Sequence, residues 1–223
     1  MMKWISYSGK GLRPQNEDCV FCKSLGDSSV LLMIADGMGG YECGAESAKI
    51  VVDTISNVLE HKPTTSITTA VTIANGALAT FKKTKRLHNT GCTLAGVRLE
   101  DGKAQVFWAG DSRVYIIRNN QVVYETQDHS LINEMKKTKV LTADQIERYE
   151  HIVRRAIMGD ESDSVDTEVI SLCKGDEILV CSDGLYRGLP LNLALSKLRN
   201  EGDSFCVDDE KFDDNHSLIY YVV

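Results

Sequence analysis

Proline is scarce in this sequence of 223 residues, occurring three times. No Gly/Ser-rich tract or low-complexity run takes its place, so no segment reads as a linker. One large domain over residues 1–223 is the expectation. Long apolar runs are missing as well. The longest, Val30-Leu31-Leu32-Met33-Ile34-Ala35, falls far short of the ~20 residues a bilayer-spanning helix needs. The opening MMKWISYSGKG has no apolar stretch of the kind a secretory signal uses, so a cytoplasmic protein without a membrane partner is expected. Basic excess is also lacking: 25 Lys and Arg against 32 Asp and Glu leave a net charge of −7. That balance argues against a nucleic-acid partner. Nor is there an even cysteine framework. Seven cysteines are an odd count, and a chain of this size buries a core without staples, so reduced thiols are expected. Cys19 and Cys22 make a lone C-x-x-C, but Val20-Phe21 between them suggests a strand. On a strand, residues i and i+3 face opposite ways and cannot chelate one ion.

What is present is an ordinary globular composition, 43% hydrophobic and 26% charged. Residues 28–35 read as a buried strand. Ala48, Val51, Val52, Ile55, Val58 and Leu59 fall at helical spacing, and Ile67, Val71, Ala74, Leu78 and Phe81 mark a second helix after Pro63-Thr64-Thr65-Ser66. Residues 92–99, 104–109 and 113–118 read as consecutive strands separated by Asp-Gly and Gly-Asp turns. The stretch 130–158 turns polar and helical, with a capping box at Thr142-Ala143-Asp144-Gln145 opening a helix toward Ile157. Residues 176–182 return to a strand, Pro190 can start a short helix through Leu198, and the chain closes on a strand from Ser217 to Val223. The class is α+β with mainly antiparallel sheets.

The acids are not scattered. Asp36-Gly37 follows the strand at 30–35, Gly110-Asp111 follows 106–109, Ser182-Asp183-Gly184 follows 177–181, and Asp213-Asp214-Asn215 precedes the last strand. Asn16-Glu17-Asp18 precedes another. For a single Asp-Gly, turn formation is explanation enough. Repeated at so many strand ends, it suggests carboxylates held rigidly together, which repel unless a cation lies between them. All the candidate ligands are oxygens, the Gly37 carbonyl included, which favours Mg²⁺ or Mn²⁺ over zinc or copper. Arg13 adds a planar fork suited to phosphate. A metal pair, an arginine and water together suggest phosphoester hydrolysis.

The ordered set Arg13-x-x-Asn16-Glu17-Asp18, Ala35-Asp36-Gly37-Met38-Gly39-Gly40, Thr90-Gly91-Cys92-Thr93, Gly110-Asp111-Ser112-Arg113, Asp128-His129-Ser130, Ser182-Asp183-Gly184-Leu185 and Asp214-Asn215 resembles the metal-dependent PP2C-like (PPM) protein phosphatases, most of all their compact bacterial branch. The likeness runs from about residue 6 to 223. It implies a four-layer α-β-β-α sandwich with two mainly antiparallel sheets, and a helical flap at about 130–158 bordering the cleft. It implies two Mn²⁺ or Mg²⁺ ions bridged by Asp36. Asp183 and Asp214 would bind the first, and Glu17 and the Gly37 carbonyl the second. Asp18 would orient water, and Arg13 would grip the substrate phosphate. The implied activity is hydrolysis of phosphoserine and phosphothreonine in proteins by a metal-activated water. The implied partners are products of a Ser/Thr kinase, met by a monomer.

Three departures from the family pattern stand out. Met38 replaces a histidine that many animal members carry and cannot donate a proton. Arg187 occupies a position where the family often has Asp, so a weak third ion at Asp111 would lose a ligand and meet a positive charge. The span from Gly184 to Asp214 is short, which suggests a trimmed helix. Two other readings compete. Cys181-Ser182-Asp183-Gly184-Leu185-Tyr186-Arg187 matches the C-x-x-G-x-x-R cradle of cysteine-dependent phosphatases, although Asp183 inside the cradle opposes a thiolate. A catalytically degenerate fold that binds phosphoproteins is the other. His129 reads as a structural histidine, and His61, His88 and His151 as solvent-exposed side chains.

Overall fold

The protein is described by a computed structural model covering residues 4–26, 29–38, 43–137 and 140–223. One sheet has the order β1 (Trp4–Gly9), β11 (His216–Val222), β10 (Glu177–Cys181), β7 (Arg113–Arg118), β8 (Gln121–Glu125). The other runs β2 (Asp18–Ser24), β3 (Ser29–Met38), β5 (Leu94–Glu100), β6 (Lys103–Ala109), β9 (Asp166–Ser171), with the short β4 (Gly91–Cys92) paired to the end of β3. Among the described residues every strand pairing is antiparallel.

Residue alternation explains the layering. Along β3, Val30, Leu32 and Ile34 face the other sheet and, together with Val97 and Val106 of their own sheet, meet its Ile116, Val180 and Ile219. Leu31, Met33 and Ala35 face outward onto α1 (Gly44–His61) and α2 (Ile67–Lys85), against Val51, Ile55, Val71 and Leu78. On the far side, Tyr115, Leu179, Cys181 and Leu218 pack beneath α5 (Asp183–Gly188) and α6 (Leu191–Glu201). The central strands are therefore buried on both faces, which is why 30–35 reads as an unbroken apolar run. This is the expected four-layer α-β-β-α sandwich. Cys19 packs with the helix-facing core and Cys22 with the inter-sheet core, on opposite faces of β2.

The flap departs from its sequence reading. The Thr142 capping box forms, with Thr142 and Gln145 exchanging hydrogen bonds, but α4 (Ala143–Tyr149) stops eight residues before Ile157. Beyond it the backbone is drawn into the sheets instead: Ser130 bridges Val153, Cys92 bridges Ile157, and the Arg154 N–H donates to the His129 carbonyl at 2.7 Å. A shorter helix, α3 (Leu131–Lys136), capped by the Ser130 hydroxyl, opens the segment. Pro190 lies one position earlier than expected, at the N-cap of α6. Between α6 and the last strand two single 3₁₀ turns stand in for further helix.

Candidate active site

The acids gather where strand ends of both sheets meet, around a cleft of about 680 Å³. Glu17 precedes β2, Asp36 lies near the end of β3, Asp111 fills the β6–β7 turn, Asp183 opens α5, and Asp214 precedes β11; all five line it. Asp18 stands behind them. It is the direct cross-strand partner of Asp36, so both side chains leave the same face of the sheet. Its Oδ2 accepts from Ser182 Oγ at 2.8 Å. Its Oδ1 is buried without a hydrogen-bond partner, and so is the Oδ1 of Asp183.

Burial and mutual repulsion set the charge state of this cluster. Burial first, then the neighbouring Asp18, Asp183, Asp111 and Asp214, holds Asp36 protonated well above the usual carboxylate range. Burial pushes Asp18 up to about 7, with Ser217 and Ser182 pulling the other way and Asp183 and Asp214 adding to the rise. Asp111 is raised to about 7, by burial and then by Asp183, against the opposing charge of Arg187. The buried, unpartnered oxygens of Asp18 and Asp183 beside these crowded acids suit a cation as their counter-charge. Among the described residues no group of three His, Cys, Asp or Glu side chains is gathered tightly enough to hold an ion as it stands. The oxygens ring the cleft, and arginines draw three of the acids aside.

Those arginines are Arg13 and Arg187. Arg13 Nη2 donates to Asp214 Oδ2 at 2.7 Å, across a pair whose side chains are 55% and 39% exposed. Pairs this open contribute about 0–1 kcal/mol, so Arg13 is free to exchange Asp214 for another anion in the cleft. Arg187 Nε lies 3.4 Å from Asp183 Oδ2 and its Nη2 3.5 Å from Asp111 Oδ2.

The profile of the family described as "Protein phosphatase 2C" matches residues 13–214. The chain belongs to the protein phosphatase 2C family. Among curated relatives, the serine/threonine phosphatase stp of Listeria monocytogenes is 28% identical over 192 residues, covering 80% of this chain and 75% of that one. Among solved structures, the serine/threonine phosphatase PstP/Ppp of Mycobacterium tuberculosis superposes with a TM-score of 0.85 at 22% identity, covering 100% of this chain and 98% of that chain. The catalytic domain of PstP in complex with two manganese ions gives 0.82 at 23% identity, over 100% and 98%.

For a phosphatase 2C chain the five acids singled out in the sequence all line this cleft, but the side chains that support them were left unseen. Asn215 is the main one. Its Oδ1 accepts from the Glu17 N–H at 2.8 Å, while its Nδ2 donates to the carbonyls of Lys10 and Gln15 at 2.8 and 2.9 Å. One buried side chain thus fixes the loop that carries Arg13 and Glu17. Ser182 donates to Asp18 and accepts from the Ser217 N–H at 2.9 Å, tying β10, β11 and β2 together. His151 is solvent-exposed, as expected, but it also lines the cleft and contacts Arg187. The only sequence signal was the Asp-Asn pair, since donor geometry across 198 residues has no local signature. His129 is structural, as expected. Its Nδ1 accepts from the Gly110 N–H at 3.2 Å, its Nε2 faces Asp166 at 3.2 Å, and its ring stacks on Trp108.

Proposed function

We propose that residues 1–223 form one catalytic domain of a metal-dependent phosphoprotein phosphatase that hydrolyses phosphoserine and phosphothreonine. The observation that carries this reading is the ring of Glu17, Asp36, Asp111, Asp183 and Asp214 around one cleft, with buried, unpartnered oxygens on Asp18 and Asp183 and an exchangeable arginine at the rim. The donor set fits hard divalent cations, because all of it is oxygen. Asp36 would bridge two Mn²⁺ or Mg²⁺ ions, with Asp183 and Asp214 on the first and Glu17 and the Gly37 carbonyl on the second. When bound, such a pair supplies an activated water and charge for the phosphoryl oxygens.

The protein's own groups do the rest. Arg13 turns from Asp214 to the substrate phosphate and holds it by two parallel hydrogen bonds. Asp18, held through Ser182, accepts a hydrogen bond from water at the cleft floor and fixes its direction. Met38 lines the cleft and has no proton to give, so this chain offers no side-chain acid at that position. The names of the relatives support phosphoprotein substrates. The same reading has a cytoplasmic monomer acting on the products of a Ser/Thr kinase; no helix among the described residues is long and apolar enough to cross a membrane.

Neither competing reading has comparable support. Cys181 is fully buried, and burial pushes its thiol up to about 12, away from the thiolate a nucleophile needs. A degenerate binding module would have no use for a complete set of acids. The deciding experiment is hydrolysis of an aryl phosphate and of a phosphothreonine peptide with Mn²⁺, without it, and after chelation. Activity that is absent with Mn²⁺, or indifferent to chelator, would sink the proposal.

A further inference from the structure

Arg187 does more than sit beside two acids. Its Nη2 also donates to the Glu150 carbonyl at 3.3 Å, and its Nη1 donates to His151 Nδ1. One guanidinium therefore touches Asp111 and Asp183 on the site and two consecutive residues of the flap. Its base is well fixed. It lies on α5, whose Leu185 is buried, and the neighbouring Tyr186 hydroxyl donates to the Asp111 carbonyl at 3.1 Å while its ring lies 3.7 Å beneath the guanidinium of Arg113.

The flap side is built differently. Among the described side chains of α4 none is buried, so little apolar packing decides where this segment lies. From its end, residues 150–154 are held by backbone bonds: Ile152 N–H to the Tyr149 carbonyl, and Leu131 N–H to the Ile152 carbonyl. These tie the flap to itself, and the Arg154 N–H, donating to the His129 carbonyl, ties its end to the residue that bonds the Gly110 carbonyl. Arg187 ties it to the acids. A guanidinium suits the task, because its donors fan out in one plane and its charge persists at any working pH.

We propose that Arg187 is a positioning residue: a built-in cation that clasps Glu150 and His151 of the flap to Asp111 and Asp183, and so sets the flap wall against which a peptide substrate lies. A diffusible ion in that place would make the wall depend on ion concentration; a side chain does not. His151 and Val153 line the cleft on this side. A phosphopeptide is long enough to meet them, whereas a small aryl phosphate need only reach the acids and Arg13. This second consequence rests on the phosphatase reading; the clasp itself does not.

The test is hydrogen exchange of the 223-residue chain with chelator present, comparing wild type with Arg187→Met, which keeps length and loses the guanidinium, and Arg187→Lys, which keeps charge and loses the fork. We expect segment 149–154 to exchange about tenfold faster in Arg187→Met, with β10 unchanged and Arg187→Lys in between. If Arg187→Met does not fold, Arg187→Lys carries the same comparison. Unchanged exchange at 149–154 in the folded variant overturns the clasp. With Mn²⁺, KM for a phosphothreonine peptide should rise about fivefold while KM for an aryl phosphate stays put. An equal change for both substrates overturns the positioning role. Absence of Mn²⁺-dependent activity in the wild type would instead count against the phosphatase reading and leave the exchange result standing.

Discussion

At the residue scale the site is a problem of charge. Asp36 is the most crowded acid, disfavoured as an anion by burial and by four neighbouring aspartates. Asp36→Asn removes that penalty along with the carboxylate proposed to bridge the metals, so its two effects have opposite signs. At pH 7.5 the chelated variant should melt above chelated wild type, while the stabilisation added by Mn²⁺ should largely vanish. Activity should fall roughly a thousandfold or more, since several kcal/mol of charge stabilisation goes with the ligand. Paired melts and an aryl phosphate assay check this, with Cys181→Ser as the control that keeps most activity. Arg13 offers a cleaner separation. Its partner Asp214 is exposed enough to release it, so Arg13→Ala should leave the Mn²⁺ titration nearly unchanged. Removing a charged bidentate contact should cost about 1.5–3 kcal/mol, or roughly ten- to a hundredfold in kcat/KM, mostly through KM. An unaltered KM would take Arg13 out of the site.

At the element scale, function depends on how closely backbone segments approach. Gly184, in the first turn of α5, lies so near the Asn215 carbonyl that a Cβ there would overlap it. This contact sets the α5 start, with Asp183, against the Asp214-Asn215 segment entering β11. Backbone cannot yield as a flexible side chain does, so Gly184→Ala should cost about 1–3 kcal/mol in chemical denaturation. It should also weaken Mn²⁺ affinity by shifting Asp183 away from Asp214. A variant as stable as wild type that still binds Mn²⁺ normally would contradict this packing. The same logic explains the flap. Its helix ends where backbone bridges to Ser130 and Cys92 compete successfully with helix propagation.

For the molecule as a whole, the chelated protein should show an inverted pH response above pH 5. Asp18 and Asp111 are raised to about 7 in the fold, against about 4 in the unfolded chain. Between those values the folded state holds protons that the unfolded state has released, so stability falls as pH rises. Below pH 4 the opposite holds for Asp176 and Glu177. Arg118 holds Asp176 below its ordinary range; for Glu177 the bonds from Arg199 and Tyr220 outweigh a burial cost, and both contributions are lost on protonation. Melting temperature without metal should therefore peak near pH 5 and decline toward pH 7.5. Saturating Mn²⁺ should remove the decline and release protons on binding, measurable by calorimetry in buffers of different ionisation heat. A chelated protein whose melting temperature climbs steadily from pH 5 to 7.5 would show that the cluster is not buried as described.

Much of this was legible in the one-dimensional chain. The run at 30–35, the helical spacing of 48–59 and 67–81, and the Thr142 capping box are local patterns, and local physics decided them. Repetition of Asp at strand ends named the acids for the same reason: a turn residue on a rigid strand has few places to point. Other features carried no local signal. The edge strands β8 and β9 and the first strand, β1, are short or polar enough to resemble loops, and each is made by its neighbour rather than by its own composition. The six-residue α5 lies below the length at which periodicity can be read. Arg187 looked like a lost ligand; its i,i+4 pair with Asp183 is local, but that it also reaches Asp111 and the flap follows from contacts spanning 36 to 76 residues. Asn215 holds a loop about two hundred residues away. Sequence by itself determined which groups can bind an anion or a cation, because that is a property of side-chain chemistry. Only the tertiary structure decided which of them meet, because distance across a fold is set by sheet order and packing rather than by separation along the chain.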